Sequence, residues 1–453
     1  MAVFPLGNHS FQWSEAHLST AKLTALKQQY DYLGSETVIR LQEISKKESG
    51  GERGLARIDL YALLRDHQPD DKVLAKFWQE VHTVPEWVEW KQIERGQRFF
   101  YRYALGNLMG FALQGFMGEN AASPGTAEVL VRTGGFATQK LMKRLMETFQ
   151  FLLQVTDSLE AIQPGGAGHI TTVRVRLLHS SVRERILGLV QAKPDYLDTV
   201  EFGQPVNDMD SIRAITTFCC NHSWLQLPLM GVKPSPQETA DYIALFRYIS
   251  YVIGAPSEHF ETTERAKAAM ESIGFHETKI TPTSRIVAHN FVQCLVNYPP
   301  SNISVQFIEA GCRILNGDKF CDLLGLGDPR IYSYACFRGF IWLIRILAFI
   351  QHLSPILNDA ITSYFHRTLH HAIIQSKSGL SGGSKLEFKH IPRIAKKTTK
   401  VNNNRSQVTP PFWARPVEAL FFTVFVTVYL VPIVFLVLIS GVAQMYIYRS
   451  KKS

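Results

Sequence analysis

Apolar residues recur every three to four positions along most of the chain, which is the spacing of one face of a helix. The stretch RLMETFQFLL at residues 144–153 shows this pattern clearly. We expect the helix that contains it to run from about Gln139 to Leu159, and a second helix to cover residues 171–191. Strand-like alternation of apolar and polar residues is sparse. The pattern therefore predicts an all-α body.

The C-terminal part of the chain has a different pattern, because no formal charge occurs from Ala419 to Tyr448. A hydrocarbon core of about 30 Å needs roughly twenty apolar helical residues. The sequence therefore predicts one transmembrane helix over residues 419–448. An earlier apolar stretch, residues 338–353, is interrupted by Arg338 and Arg345. We expect that stretch to be a core or membrane-surface helix rather than a second span.

Positive charge is concentrated in the same C-terminal part. The formal net charge of the chain is +9, and residues 377–453 hold twelve Lys and Arg against two acidic residues. The first 376 residues are therefore nearly neutral, which argues against a nucleic-acid groove. We expect the basic segment at 376–415 to lie on anionic lipids. More basic residues precede the predicted span than follow it, which favours a cytosolic location for the body.

These patterns predict four parts of the chain. They are an N-terminal helical extension (1–49), a single large helical domain (50–375), a basic polar linker (376–415) and the transmembrane helix (419–448). The six cysteines lack C-x-x-C spacing, which is typical of buried thiols in a reducing compartment. The N-terminus lacks the basic start and apolar run of a secretory signal.

Three polar residues interrupt the apolar helix around residue 148. Arg144, Glu147 and Thr148 are three and four positions apart, so their side chains can share one side of the helix. Such a cluster can be a salt-bridged, solvated face or part of a site that needs a cation, a carboxylate and a hydroxyl. Residue spacing alone favours the solvated face.

A histidine in RVRLLHSSVRERI (174–186) is the strongest candidate ligand. His179 lies among apolar residues at helical spacing, and Arg176 and Arg183 are at i−3 and i+4. An interior imidazole can bind haem iron, and flanking guanidinium groups can bind the propionates. A satisfied core histidine is the commoner alternative. In FHRTLHH, His366 and His370 could clamp a metal, but Arg367 replaces the Glu of a zincin, which favours a solvated polar face.

Four blocks of sequence resemble the fungal branch of the MpaB-type ER-bound oxygenases, which share a catalytic domain with the latex-clearing rubber oxygenases. The blocks are VPEWVEWKQIERGQRFFYRY, RTGGFATQKLMKRLMETFQFLLQVTDSLEAIQPGGAGH, RVRLLHSSVR and FRYISYVIGAP. The resemblance covers about residues 50–375. It implies an all-helical catalytic domain that binds one b-type haem and cleaves isoprenoid double bonds with O₂, giving carbonyl products.

The resemblance also implies roles for individual residues. The axial iron ligand of the family falls on His179, and the distal triplet falls on Arg144, Glu147 and Thr148. Glutamate stands at the middle position, where rubber oxygenases can have lysine. The implied protein is a haem-dependent oxygenase of secondary metabolism, anchored by a single span in the endoplasmic reticulum membrane, with a lipophilic substrate. The alternatives are a non-catalytic tail-anchored scaffold, a haem sensor, or a metal-dependent hydrolase at His366 and His370.

Overall fold

The computed structural model describes residues 3–48, 59–134, 138–386 and 415–450, which are predominantly helical. This confirms the prediction of an all-α body. The exception is an N-terminal hairpin, in which β1 (Val3–Leu6) pairs antiparallel with β2 (His9–Gln12). Gly7 turns between the strands with a φ of 60°, a conformation that favours glycine. The sequence pattern did not predict this hairpin.

The helices of the first half of the chain are α1 (Thr20–Gln28), α2 (Tyr32–Glu48), α3 (Leu60–His67), α4 (Lys72–His82), α5 (Trp90–Arg102), α6 (Ala104–Gly110), α7 (Asn120–Ala122), α8 (Pro124–Arg132), α9 (Thr138–Val155), α10 (Leu159–Ile162) and α11 (Ala167–Ala192). The helices of the second half are α12 (Asp208–Cys220), α13 (Leu227–Leu229), α14 (Pro236–Val252), α15 (Thr263–Glu277), α16 (Pro282–Leu295), α17 (Val305–Asn316), α18 (Asp318–Leu324), α19 (Ile331–Leu353), α20 (Pro355–Leu369) and α21 (Pro416–Ser450). The π-helical segments are Phe111–Glu119, Asn221–Gln226 and His370–Gln375, and the 3₁₀ turns are Pro194–Tyr196 and Ser257–Phe260.

The N-terminal segment packs onto the helical domain. The imidazoles of His9 and His17 bind the two oxygens of the Glu271 carboxylate at 2.7 and 3.0 Å. The backbone N–H of Leu18 donates to Ser272. Glu271 and Ser272 lie on α15, so residues of the predicted N-terminal extension are held by the domain that follows it. The predicted boundary at residues 49 and 50 lies outside the described residues.

Two glycines set the geometry of the helix pair that carries the candidate site. Helix α11 begins directly after the Gly-rich stretch, and a Cβ on Gly168 would lie 2.4 Å from the backbone oxygen of Gln154 on α9. A Cβ on Gly166 would lie 2.0 Å from the oxygen of Glu160. Only glycine permits these approaches, so the sequence brings the start of α11 against the end of α9. Helix α11 begins earlier than residue 171, where we predicted it.

The C-terminal helix α21 packs along α19. A Cβ on Gly339 of α19 would lie 1.8 Å from the backbone oxygen of Phe421, so the two backbones touch. The buried carboxylate of Glu418 accepts a hydrogen bond from the backbone N–H of Ser304 at 2.5 Å. These contacts fix the first turns of α21 on the domain. Residues 387–414 of the predicted linker lie outside the described residues.

Within the described part of the chain, Ile331–Leu353 is the helix that is long and apolar enough to cross a membrane, and 44% of its apolar window is buried. Such a helix can equally be a core helix. Helix α21 contains the predicted span at 419–448, and its apolar stretch Pro416–Pro432 is shorter.

Candidate functional site

Helix α9 carries the predicted polar triplet on an otherwise apolar surface. Leu145, Phe149 and Leu152 are buried in the main core, as their spacing predicts. Arg144, Glu147 and Thr148 are each half-buried, so none of them lies on a fully solvated face. The solvated-face alternative therefore does not describe this helix.

Arg144 lies deep in the domain without a side-chain partner. Burial lowers the pKa of its guanidinium, and the nearby charge of Glu147 partly opposes this shift. Among the described residues, no group accepts a hydrogen bond from the guanidinium. A desolvated cation without an acceptor is costly, which indicates that this position is suited to an anionic group of a ligand.

Glu147 and Thr148 have partners within the protein. The Glu147 carboxylate accepts a 2.7 Å hydrogen bond from the Ser384 hydroxyl and lies 3.7 Å from the Lys143 ammonium. The Thr148 hydroxyl donates to the backbone oxygen of Arg144 at 3.0 Å. Its oxygen lone pairs remain available to accept a hydrogen bond. Arg144 and Glu147 thus lie close enough to interact electrostatically. The hydroxyl proton of Thr148 is used in a hydrogen bond within its own helix.

His179 faces this group from α11. Burial lowers the pKa of its imidazole to about 4, the charges of Arg183 and Arg144 lower it further, and Asp31 partly opposes them. The ring is therefore neutral at physiological pH, so one nitrogen carries a free lone pair. In the described part of the chain, no group hydrogen-bonds to this ring. A satisfied core histidine, the alternative that the sequence left open, would show such a bond.

The apolar packing changes at His179. Val173 and Leu177, which precede it on α11, belong to the main core, whereas Val182 and Ile186 belong to a separate smaller cluster. His179 and Arg144 are each half-buried.

The residues around His179 and Arg144 fit a haem. A neutral imidazole without a partner can bind the iron, an unpartnered guanidinium can bind a propionate, and the flanking side chains are apolar. Haem binding by His179 and Arg144 stays a prediction.

The two flanking arginines are held by protein groups. Arg176, 2% exposed, donates to both oxygens of the Asp31 carboxylate at 2.7 and 2.8 Å and to Glu80 at 2.8 Å. Arg183 donates to the backbone oxygens of Asp31, Pro205 and Val206. Each nitrogen of both guanidinium groups has a partner. The predicted propionate role would need these contacts to be exchanged, so they favour a structural role.

The first part of the predicted linker covers Glu147. We call residues 376–386 the strap. The side-chain amide of Gln150 on α9 donates to the backbone oxygen of Ser384 at 2.8 Å and accepts from its N–H at 2.7 Å. The Lys385 ammonium lies 3.4 Å from Asp59. The polar sequence of this segment predicted a linker, but did not indicate which helix it contacts.

The remaining buried polar groups belong to other parts of the fold. His169 is fully buried, accepts from the Gly165 N–H and lies 2.7 Å from the backbone oxygen of Val81. All six cysteines are buried and free, as predicted. A cavity of about 200 Å³ lies elsewhere, against Trp87 and Arg247, and includes none of the predicted site residues.

The sequence of the chain shows which family it belongs to. Residues 95–346 match the family described as ER-bound oxygenase mpaB/B'/Rubber oxygenase, catalytic domain, and the chain belongs to this family. The matched region contains every predicted residue of the haem site.

One known protein matches the chain in sequence, and one solved structure matches its fold. The chain is 21% identical over 270 residues to the rubber oxygenase of Streptomyces sp. (strain K30), and this match covers 57% of the chain and 61% of that protein. The solved structure of latex clearing protein LCP in the closed state superposes with a TM-score of 0.58 at 16% identity. That superposition covers 79% of this chain and 95% of the solved chain, and shows a shared fold.

Proposed function

We propose that this protein is a haem-dependent oxygenase that cleaves a carbon–carbon double bond in a prenyl or other isoprenoid chain, in secondary metabolism. The observation that carries the proposal is the neutral, unpartnered imidazole of His179 beside the unpartnered guanidinium of Arg144. Membership of the oxygenase family supports it, and the matched relative named a rubber oxygenase supports an isoprenoid substrate.

When bound, the haem supplies iron that binds and activates O₂. His179 would hold the iron through the imidazole lone pair. Arg144 binds a propionate or balances the charge of Glu147, with which it interacts electrostatically. The Glu147 carboxylate takes or returns a proton of the substrate. Thr148 orients polar groups beside it through its accepting oxygen.

Membrane attachment is the second part of the proposal. Helix α21 forms the span and continues from the contact with α19 at Gly339 and Phe421. The end of α19 and the beginning of α20 expose an apolar surface beside it. Its residues are Ile346 (38% exposed), Phe349 (62%), Leu353 (65%), Ile356 (81%) and Leu357 (47%). A contiguous exposed apolar surface of this kind is typical of membrane contact.

We infer that this apolar surface rests on the cytosolic face of the endoplasmic reticulum membrane, which lets a lipophilic substrate enter from the bilayer. Protease protection of sealed microsomes tests the orientation. Full cleavage of the helical domain in intact vesicles is expected, whereas protection of that domain would contradict the cytosolic location.

The catalytic part is tested with Glu147→Gln in the full-length protein. Glutamine keeps the accepting oxygen for Ser384 but removes the proton-transfer group, so the Soret band should be unchanged and product formation should fall about 10²-fold or more. Lys140→Gln, an exposed change on the same helix, is the matched control. Undiminished turnover in Glu147→Gln would reject its role. Haem binding without O₂-dependent product from any isoprenoid would instead favour the haem sensor.

A further inference from the structure

Two histidines and an aspartate converge just beyond the end of α9. The Asp157 carboxylate oxygen Oδ1 lies 2.8 Å from Nε2 of His366 and 3.4 Å from Nε2 of His370. One ligand atom from each of the three residues lies within 4.8 Å of the others. The histidine pair was visible in the sequence, but Asp157, about 210 positions earlier in the chain, was not.

These three ligand atoms suit a transition metal. Two imidazole nitrogens and one carboxylate oxygen are a ligand set that Zn²⁺ uses in proteins, at about 2.0–2.2 Å from the metal. The two rings are stacked with centroids 4.8 Å apart, and both Nε2 atoms lie within 3.4 Å of the same Asp157 oxygen. Small side-chain rotations would bring the three atoms around one ion.

A neutral oxygen lies beside the cluster. The Tyr101 hydroxyl donates to the backbone oxygen of Leu153 at 3.2 Å and is 3.0 Å from Nε2 of His370. Its proton is therefore used, and its oxygen can accept a hydrogen bond. The cluster holds the negative charge of the Asp157 carboxylate and, when both imidazoles are neutral, no positive charge. The carboxylate therefore attracts a divalent cation.

We propose that Asp157, His366 and His370 bind one Zn²⁺ ion. Arg367 stands where a zinc protease needs a general base, so the site is structural rather than hydrolytic. Asp157 lies two residues beyond the end of α9, which carries Arg144 and Glu147. The histidines lie at the end of α20 and the start of the π-helical turn that leads into the strap.

The ion therefore links α20, which precedes the strap, to the end of α9, which the strap covers. The strap contacts Glu147 through Ser384 and Gln150 through two backbone hydrogen bonds. Because the ion holds the residues just before the strap, the strap can move only a limited distance from Glu147 on α9. This inference does not depend on haem binding or on the proposed reaction.

The test measures zinc in full-length protein purified in detergent without a histidine tag. After chelator treatment, exposure to micromolar ZnCl₂ and gel filtration, elemental analysis should give about one zinc per chain, counted separately from iron. Asp157→Asn and His366→Gln keep hydrogen-bonding side chains and should bind at least tenfold less. His371→Ala removes an exposed neighbouring histidine and should bind like the wild type. Equal zinc in the wild type and Asp157→Asn would overturn the site.

Tryptic cleavage tests whether zinc restricts the movement of the strap. Trypsin can cut after Lys377 and Lys385 in the strap. Zinc should slow this cleavage several-fold in the wild type and in His371→Ala, and should have no effect in Asp157→Asn. Zinc that binds stoichiometrically without slowing cleavage would overturn this role of zinc. Circular dichroism of each variant distinguishes loss of the site from loss of the fold.

Discussion

Replacement of Asp31 by alanine tests how the helix that carries His179 is held. Asp31 accepts two hydrogen bonds from Arg176, which lies one helical turn before His179 and is 2% exposed. The same carboxylate accepts a 3.0 Å hydrogen bond from the Gly34 N–H at the start of α2. The substitution therefore removes the main partner of a buried cation and a helix-capping group together.

The expected loss of stability follows from these contacts. Removing one partner of a buried ion pair costs about 3–5 kcal/mol, and losing a helix cap costs about 1 kcal/mol. Arg176 keeps its contact with Glu80, whose side chain is 38% exposed, so the ion-pair cost lies at the lower end. We expect Asp31→Ala to lower the free energy of unfolding by about 3–4 kcal/mol. Asp31→Asn keeps accepting oxygens and should lose less.

Urea unfolding of the full-length protein in detergent, followed by circular dichroism, measures this loss with and without added haemin. The matched control is Asp195→Ala, which removes a carboxylate 76% exposed and 3.7 Å from Lys193 and should cost at most about 1 kcal/mol. Equal losses in the two variants would refute the structural role of Arg176. Lower haem retention in Asp31→Ala without loss of stability in the haem-free protein would instead support a propionate role for that arginine.

Two further predictions concern acid stability and helix packing. Burial lowers the pKa of His169 to about 4. Between pH 6.5 and pH 4 this imidazole is therefore protonated in the unfolded chain but stays neutral in the folded protein. The contribution of neutral His169 to the free energy of unfolding is therefore fully present above pH 6.5. It falls by up to about 3 kcal/mol as the pH approaches 4. The unfolding free energy of His169→Gln should fall less steeply in this window, and an unchanged slope would contradict the prediction. Gly339→Ala should destabilise the contact between α19 and α21 by about 1–3 kcal/mol because its Cβ would overlap Phe421, whereas Gly188→Ala, with open space around it, should be neutral or stabilising. Similar melting temperatures for these two variants would refute the packing.

Helical periodicity predicted the fold class because it is a local property of the sequence. The helix expected over 139–159 is observed as Thr138–Val155, and the expected C-terminal helix lies within Pro416–Ser450. The end at Val155 reflects a break at Ser158, whose hydroxyl caps the next short helix. The N-terminal hairpin was missed because two strands of four residues are too short to show clear alternation.

The candidate site was only partly predictable, because its contacts join distant parts of the chain. The spacing of Arg144 and Glu147 within one helix could be read directly. The partners of Arg176 could not, because Asp31 is more than 140 positions away and nothing local marks it as the acceptor. The same holds for Ser384, which covers Glu147 from the strap. Sequence spacing placed the guanidinium groups of Arg176 and Arg183 beside His179 but did not show that protein groups hold both of them.

An absorption spectrum of the purified full-length protein, before and after dithionite, tests the central claim most directly. We expect a Soret band that shifts on reduction in the wild type and is lost in His179→Ala, while His169→Gln, a change at a buried histidine outside the site, keeps it. A colourless wild-type protein that still forms product, or a Soret band that persists unchanged in His179→Ala, would contradict the assignment of His179 as the iron ligand.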